Sequence, residues 1–216
     1  MCGRFAVTLP NDAMAQLFAA MPSNDLPNVP NFNVCPTNDV HVVLSDEGRR
    51  LVSMRWGFLP HWYKTPTDGP LLINARAETI AEKPAFREAC RARRCLIPMT
   101  GFYEWTKDSE GKRWPWYIHA EGPLALAGVW QSWGADAQKT CAIVTIGANE
   151  TMSKVHHRMP VILAEKDWGL WLGEAGFGAA PLMRAAPEDL LSFYQVDPKV
   201  NSNRASGPEL IDPLDV

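Results

Sequence analysis

Cys95-Leu96-Ile97-Pro98-Met99-Thr100-Gly101-Phe102-Tyr103-Glu104-Trp105-Thr106 opens the part of the chain that decides the fold. From this point β-branched, aromatic and aliphatic residues recur in short runs: Cys95–Pro98, Gly101–Thr106, Trp114–His119, Leu124–Trp130 and Thr140–Ile146. Such runs, bounded by turn residues, predict strands. Ser109-Glu110-Gly111-Lys112 supplies a turn between two of them. Upstream, Val40–Leu44 and Leu51–Trp56 flank Asp46-Glu47-Gly48 and read as a β-hairpin. Pro160–Leu163 reads as one more strand.

Helices are fewer. Within residues 10–22, Ala13, Met14, Leu17, Phe18 and Met21 recur at helical spacing, with Asn11 or Asp12 as the cap and Pro22 as the stop. Thr79–Arg93 reads as a helix that Pro84 interrupts, and Glu165–Leu172 and Glu188–Phe193 as short helices. Residues 23–38 and 57–70, rich in Pro, Asn, Gly and aromatics, read as loops. The expectation is one α+β domain over residues 1–216, with antiparallel β-sheets, a barrel-like core and a few flanking helices.

Composition narrows the class. The chain has 216 residues, 46% hydrophobic and 21% charged, as soluble globular proteins have. A net charge of −3 argues against bulk electrostatic binding of nucleic acid and leaves room for a local basic groove. No run approaches the roughly eighteen apolar residues of a membrane helix. The N-terminus lacks a signal-peptide pattern, so a cytoplasmic setting is expected. Five cysteines in a reducing compartment should be free thiols. Nine Trp is a high count; surplus indoles usually serve the core, and stacking platforms are the alternative for some of them.

Six segments carry candidate chemistry. Cys2 lies one cleavage from the N-terminus, and removal of Met1 would put an α-amine and a thiol on one residue. That pair condenses with an aldehyde to an imine and closes on it as a thiazolidine. The amine, with an ordinary pKa of about 7.7–8.0, is partly unprotonated at neutral pH. A buried cysteine after a start codon is the plainer reading. Asn74 and Arg76, at the end of the apolar run Leu71–Ile73, could orient a carbonyl and meet a phosphate, or form an exposed strand end. Glu104 is a general acid or base if buried. Strand alternation instead puts it on the solvent face, with Tyr103 and Trp105 in the core. His156 and His157 precede Arg158 and suit proton transfer, or are solvated in a loop. Zinc held by Cys90, Cys95 and one of these histidines is a further option. Trp62 and Tyr63, in a loop beside basic residues, fit a single-strand nucleic-acid groove or a lid over the core. Arg87, Arg91 and Arg94 would share a helix face.

Taken in order, Cys2-Gly3-Arg4-Phe5, Asn33-Val34-Cys35-Pro36, Trp56-Gly57, Asn74–Thr79, Cys95–Pro98, Gly101–Trp105 and His156-x-Arg158-Met159-Pro160 make the chain resemble one family. It resembles the SOS response-associated peptidase (SRAP) family, whose members shield abasic sites in single-stranded DNA. The resemblance implies that Cys2, after loss of Met1, forms the thiazolidine with the ring-opened sugar. It implies that Asn74 positions the amine or the sugar, that Glu104 assists proton transfer at the imine, and that His156 serves the sugar oxygen. Arg4, Arg76 and Arg158 would meet phosphates, Trp62 and Tyr63 would stack on a base, and Asn33, Pro36 and Thr145 complete the implied DNA contacts. Cys35 stands where a small residue is expected and raises an oxidative pairing with Cys2. Expected activities are covalent capture of abasic DNA, AP-lyase-like cleavage and autocatalytic removal of the residue before Cys2. No cofactor or metal is implied. Expected partners are abasic single-stranded DNA and replication-fork proteins, the protein being a monomer, off the membrane and nucleoid-associated when on DNA. A thiol peptidase acting in trans and a non-covalent single-strand binding module are the alternatives.

Overall fold

The predicted runs from Cys95 onward fuse into two long strands that carry the architecture. In the computed structural model, which describes residues 2–214, the chain-order elements are as follows. Strand β1 is Phe5–Val7, helix α1 Asn11–Leu17, β2 Met21–Pro22, β3 Asn31–Val34, β4 Asp39–Ser45 and β5 Arg49–Trp56. They are followed by β6 Asn74–Arg76, α2 Arg87–Ala92, β7 Arg94–Lys107, β8 Arg113–Trp133 and β9 Gln138–Gly147. The remainder are α3 Glu150–Ser153, β10 Arg158–Pro160, α4 Glu165–Leu172 and β11 Ser192–Gln195, with 3-10 turns at Ala180–Leu182, Pro198–Asn201 and Pro208–Ile211.

Strands β7 and β8 pair antiparallel from Arg94↔Val129 to Lys107↔Arg113, with a register shift between Met99 and Gly101. Gly101 is required there. A Cβ on it would stand 2.5 Å from Tyr117 Cζ and 2.6 Å from the Ile118 carbonyl oxygen. Because β7 bends at this point, its first half pairs with β4 through Val43↔Leu96 and its second half with β1 through Phe5↔Phe102. The pairings β8–β9–β5–β4–β7–β8 return on themselves as a ring, which gives the sheet-dominated α+β fold its barrel-like core. Phe5 packs on Trp56 inside it at 5.0 Å between ring centroids. A smaller apolar cluster, on the opposite face of β7, joins Tyr103 and Tyr117 to Val196, Val200 and Leu210.

Several expectations need correction. The sheet is mixed, since β2–β5, β5–β9 and β6–β9 run parallel. Only Arg87–Ala92 of the expected 79–93 helix forms, because Pro84 cannot donate to the ladder. Arg94 therefore starts β7, off the face of Arg87 and Arg91, and its guanidinium donates to the carbonyls of Cys90, Arg91 and Trp171. Helix α1 follows Pro10 without a side-chain cap, as Asn11 Oδ1 is engaged by His41 Nε2 at 2.8 Å. Helix α1 stops at Leu17, and Met21–Pro22 continue as a bridge beside β5. Residues expected as a helix at Glu188–Phe193 instead lead into β11, which completes the Trp116–His119 edge of β8. The strand expected at Pro160–Leu163 ends at Pro160, with only Ile162 bridging Leu126 beyond it. No helix among the described residues is long and apolar enough to cross a membrane.

Candidate active site

Strand β1 inserts between β3 and β7, through Phe5↔Val34 and Phe5↔Phe102, and the Tyr103 N–H donates to the Arg4 carbonyl at 2.9 Å. These bonds fix the residues just before β1 beside Phe102–Glu104. Cys2 is fully buried there. The Arg4 N–H donates to its thiol, yet burial, reinforced by the charge of Glu104, pushes that thiol far above the ordinary range. Asn74, the first residue of β6, is carried alongside by the parallel register Asn74↔Ile143. Its Nδ2 donates to the Cys2 carbonyl at 3.0 Å. Its Oδ1 is buried with no hydrogen-bond partner among the described residues.

Glu104 is 3% exposed, and burial raises its carboxyl above the usual carboxylate range. The alternation expected to put Glu104 in solvent fails because both faces of β7 are covered here. Tyr103 points into the smaller cluster and Glu104 to the side of Cys2, while Trp105 is half-buried on a cleft wall rather than in the core. The cleft, about 740 Å³, is lined by Gly3, Arg4, Glu104, Trp105 and His156 among others. Cys2 connects to it through its neighbour Gly3 and through Glu104. His156 is half-buried, and burial lowers its imidazole below the ordinary value. Its Nδ1 lies 3.0 Å from the Arg158 N–H and 3.2 Å from the Arg158 carbonyl, so the Arg158 backbone orients the ring. His157 stacks on it at 4.3 Å.

The expected DNA contacts divide. Arg76 is exposed at the end of β6 and Trp62 is 47% exposed, both open to a ligand. Tyr63 meets Trp62 edge-on at 6.4 Å, and its hydroxyl donates to the Pro70 carbonyl. Pro36 is half-buried in the turn that Asn38 N closes on the Cys35 carbonyl. Arg158 is committed to Glu78 by two bonds, at 2.7 and 2.9 Å, and to the carbonyl of buried Thr145. Arg4 donates to Asn33 Oδ1 at 2.9 Å and to the Val200 carbonyl at 2.6 Å. Asn33 Nδ2 in turn donates to the Ser202 and Ala205 carbonyls. Asn33 and Thr145 thus hold protein groups. Glu78, the partner of Arg158, was not singled out in the sequence; only its place in the Asn74–Thr79 motif hinted at it. All five cysteines are free, with the Cys35 thiol donating to the Asn33 carbonyl at 3.3 Å. Among the described residues no three His, Cys, Asp or Glu side chains gather as a metal site. Whether Met1 is removed lies outside the described residues.

Residues 1–203 match the sequence profile of SOS response associated peptidase (SRAP). The chain belongs to the SRAP family. Abasic site processing protein YoqW of Bacillus subtilis is 34% identical over 224 residues, covering 98% of this chain and 99% of its own. Abasic site processing protein HMCES of Pongo abelii is 28% identical, covering all of this chain and 77% of its own. Among solved structures, a Bacteroides thetaiotaomicron protein superposes with a TM-score of 0.85 at 22% identity, over 99% of this chain and 100% of its own. A phage-related protein from Bordetella bronchiseptica does so with 0.73 at 28% identity, over 90% and 94%. The former likeness is one of fold alone. Within the SRAP chain, Glu104 and His156 line one cleft with Gly3 and Arg4, and Asn74 is bonded to the carbonyl of Cys2, which precedes Gly3 in sequence.

Proposed function

We propose that this SRAP chain processes abasic sites in single-stranded DNA by covalent capture at Cys2 once Met1 is removed. The observation that carries the reading is the Asn74 Nδ2 bond to the Cys2 carbonyl beside a buried Glu104. It fixes residue 2 by its backbone, which leaves the α-amine and the thiol for chemistry. The names of the YoqW and HMCES relatives support the same substrate.

The open-chain abasic sugar presents an aldehyde. The freed α-amine adds to it, and the carbinolamine loses water to give an imine. The Cys2 sulfur then bonds to the imine carbon, and the thiol proton passes to nitrogen, closing the thiazolidine. A carboxyl whose proton affinity burial raises suits Glu104 to donate a proton to the departing water and take it back afterwards. His156 would serve the sugar oxygen. Arg76 and Trp62, both open to solvent, would hold a phosphate and a flanking base. Strand cleavage by β-elimination from the imine, and self-removal of Met1, use the same groups.

The test is incubation with an abasic oligonucleotide followed by denaturing electrophoresis. A shifted band is expected with the abasic oligonucleotide only, and none with Cys2→Ala. Equal yields from wild type and Cys2→Ala would overturn the reading.

A further inference from the structure

Beyond Glu104 the β7–β8 hairpin continues outward and ends in a pair of like charges. Lys107 and Arg113 are directly opposed across the two strands and both are exposed. Like charges so placed destabilise a sheet pair, since their Cβ atoms stand only about 5 Å apart. Neither has an ion-pair partner among the described residues. Both nevertheless line the cleft that holds Glu104 and His156. Arg113 is held over the Trp105 ring at 5.3 Å, with Arg4 over the same ring at 6.0 Å. The indole thus carries two guanidinium groups, and Lys107 lines the same cleft as both. Asp108, the acid nearest in sequence, is turned to other work. Its Oδ1 accepts from the Glu110 and Lys112 N–H groups and its Oδ2 from Trp114 Nε1, which fixes the hairpin tip. A molecule of net charge −3 keeps a like-charged pair at one spot on the rim of its cleft, with no carboxylate in ion-pair contact among the described residues.

We propose that Lys107 and Arg113 bind the phosphodiester backbone of the strand beyond the lesion, so that the β7–β8 hairpin is a track for single-stranded DNA leaving the cleft. This rests on the reading of the cleft given above. Two phosphates neutralised here release counterions and steepen the salt dependence of binding.

The test uses an intact single-stranded oligonucleotide, without an abasic site, titrated by fluorescence anisotropy over a series of salt concentrations. Capture plays no part in it, so its outcome is separable from that of the crosslinking test. Two lost phosphate contacts on a single strand should lower the slope of log affinity against log salt by about 1.4 in Lys107→Gln/Arg113→Gln. Between 50 and 200 mM salt the wild type should then lose roughly sevenfold more affinity than the variant. The charge-keeping exchange Lys107→Arg/Arg113→Lys should hold the wild-type slope. An unchanged slope in the Gln pair would overturn the proposal, as would an equal loss in the charge-keeping pair, which would mark a packing effect rather than a charge effect.

Discussion

At the scale of single residues the site holds two acids whose ionisation burial disfavours. The Cys2 thiol is raised by desolvation and then by the charge of Glu104; the Glu104 carboxyl is raised by desolvation. Removing the carboxylate charge therefore eases ionisation of the thiol. In Glu104→Gln, alkylation of Cys2 by iodoacetamide should reach half its maximal rate at a lower pH than in wild type. Capture of abasic DNA at saturation should at the same time slow by about a hundredfold, the usual worth of a general acid. Single-turnover rates and an alkylation–pH series check both; an unshifted alkylation profile would remove the electrostatic link. Cys2, Asn74, Glu104 and His156 were legible as chemically able residues, but only the family resemblance, and not their residue types, placed them together, because strand register is not encoded in residue type. Period-two alternation misplaced Glu104, since it assumes one wet face. On β7 the second face is covered by Val196, Val200 and Leu210, far along the chain.

At the scale of elements, what local pattern governs was readable and what pairing governs was not. Helix α4 falls at Glu165–Leu172, as its spacing predicts, and the β4–β5 hairpin surrounds its Asp46-Glu47-Gly48 turn. Strand β11, by contrast, exists because β8 offers an edge at Trp116–His119, which nothing in Ser192–Gln195 announces. The short α1 is tied to β4 by the Asn11–His41 bond, and His41 is 3% exposed with its imidazole lowered by burial to about 4. A histidine that titrates near 4 when folded and near its ordinary value of about 6.5 when unfolded favours the folded state at neutral pH. That contribution is present above the unfolded value and is lost as pH falls from about 6.5 toward 4. The midpoint of urea unfolding should drop over that window in wild type, and less steeply in His41→Gln. Parallel declines in the two proteins would contradict the assignment.

At the scale of the whole molecule, the C-terminal segment is bound back onto the N-terminal one and helps form the cleft. Asn33 bridges Arg4 to the Ser202 and Ala205 carbonyls, and Trp105 Nε1 donates to Asn201 Oδ1 at 2.6 Å. Asn33→Ala should cost about 1–3 kcal/mol, the penalty for leaving buried polar groups unpaired. It should also speed amide exchange at residues 200–205 ahead of the β7–β8 core. Exchange measured by mass spectrometry would show this; unchanged protection there would rule out the clamp. A net charge of −3 hides the local distribution, in which Arg4, Lys107 and Arg113 line one cleft.

The central claim is that Cys2 acts as residue one, through its amine and its thiol together. Intact-mass analysis of the protein after reaction with an abasic oligonucleotide tests it most directly. The expected adduct has the mass of the chain without Met1 plus the oligonucleotide less one water, and it is absent from Cys2→Ala. An adduct that retains Met1, or one formed equally by Cys2→Ala, would contradict it.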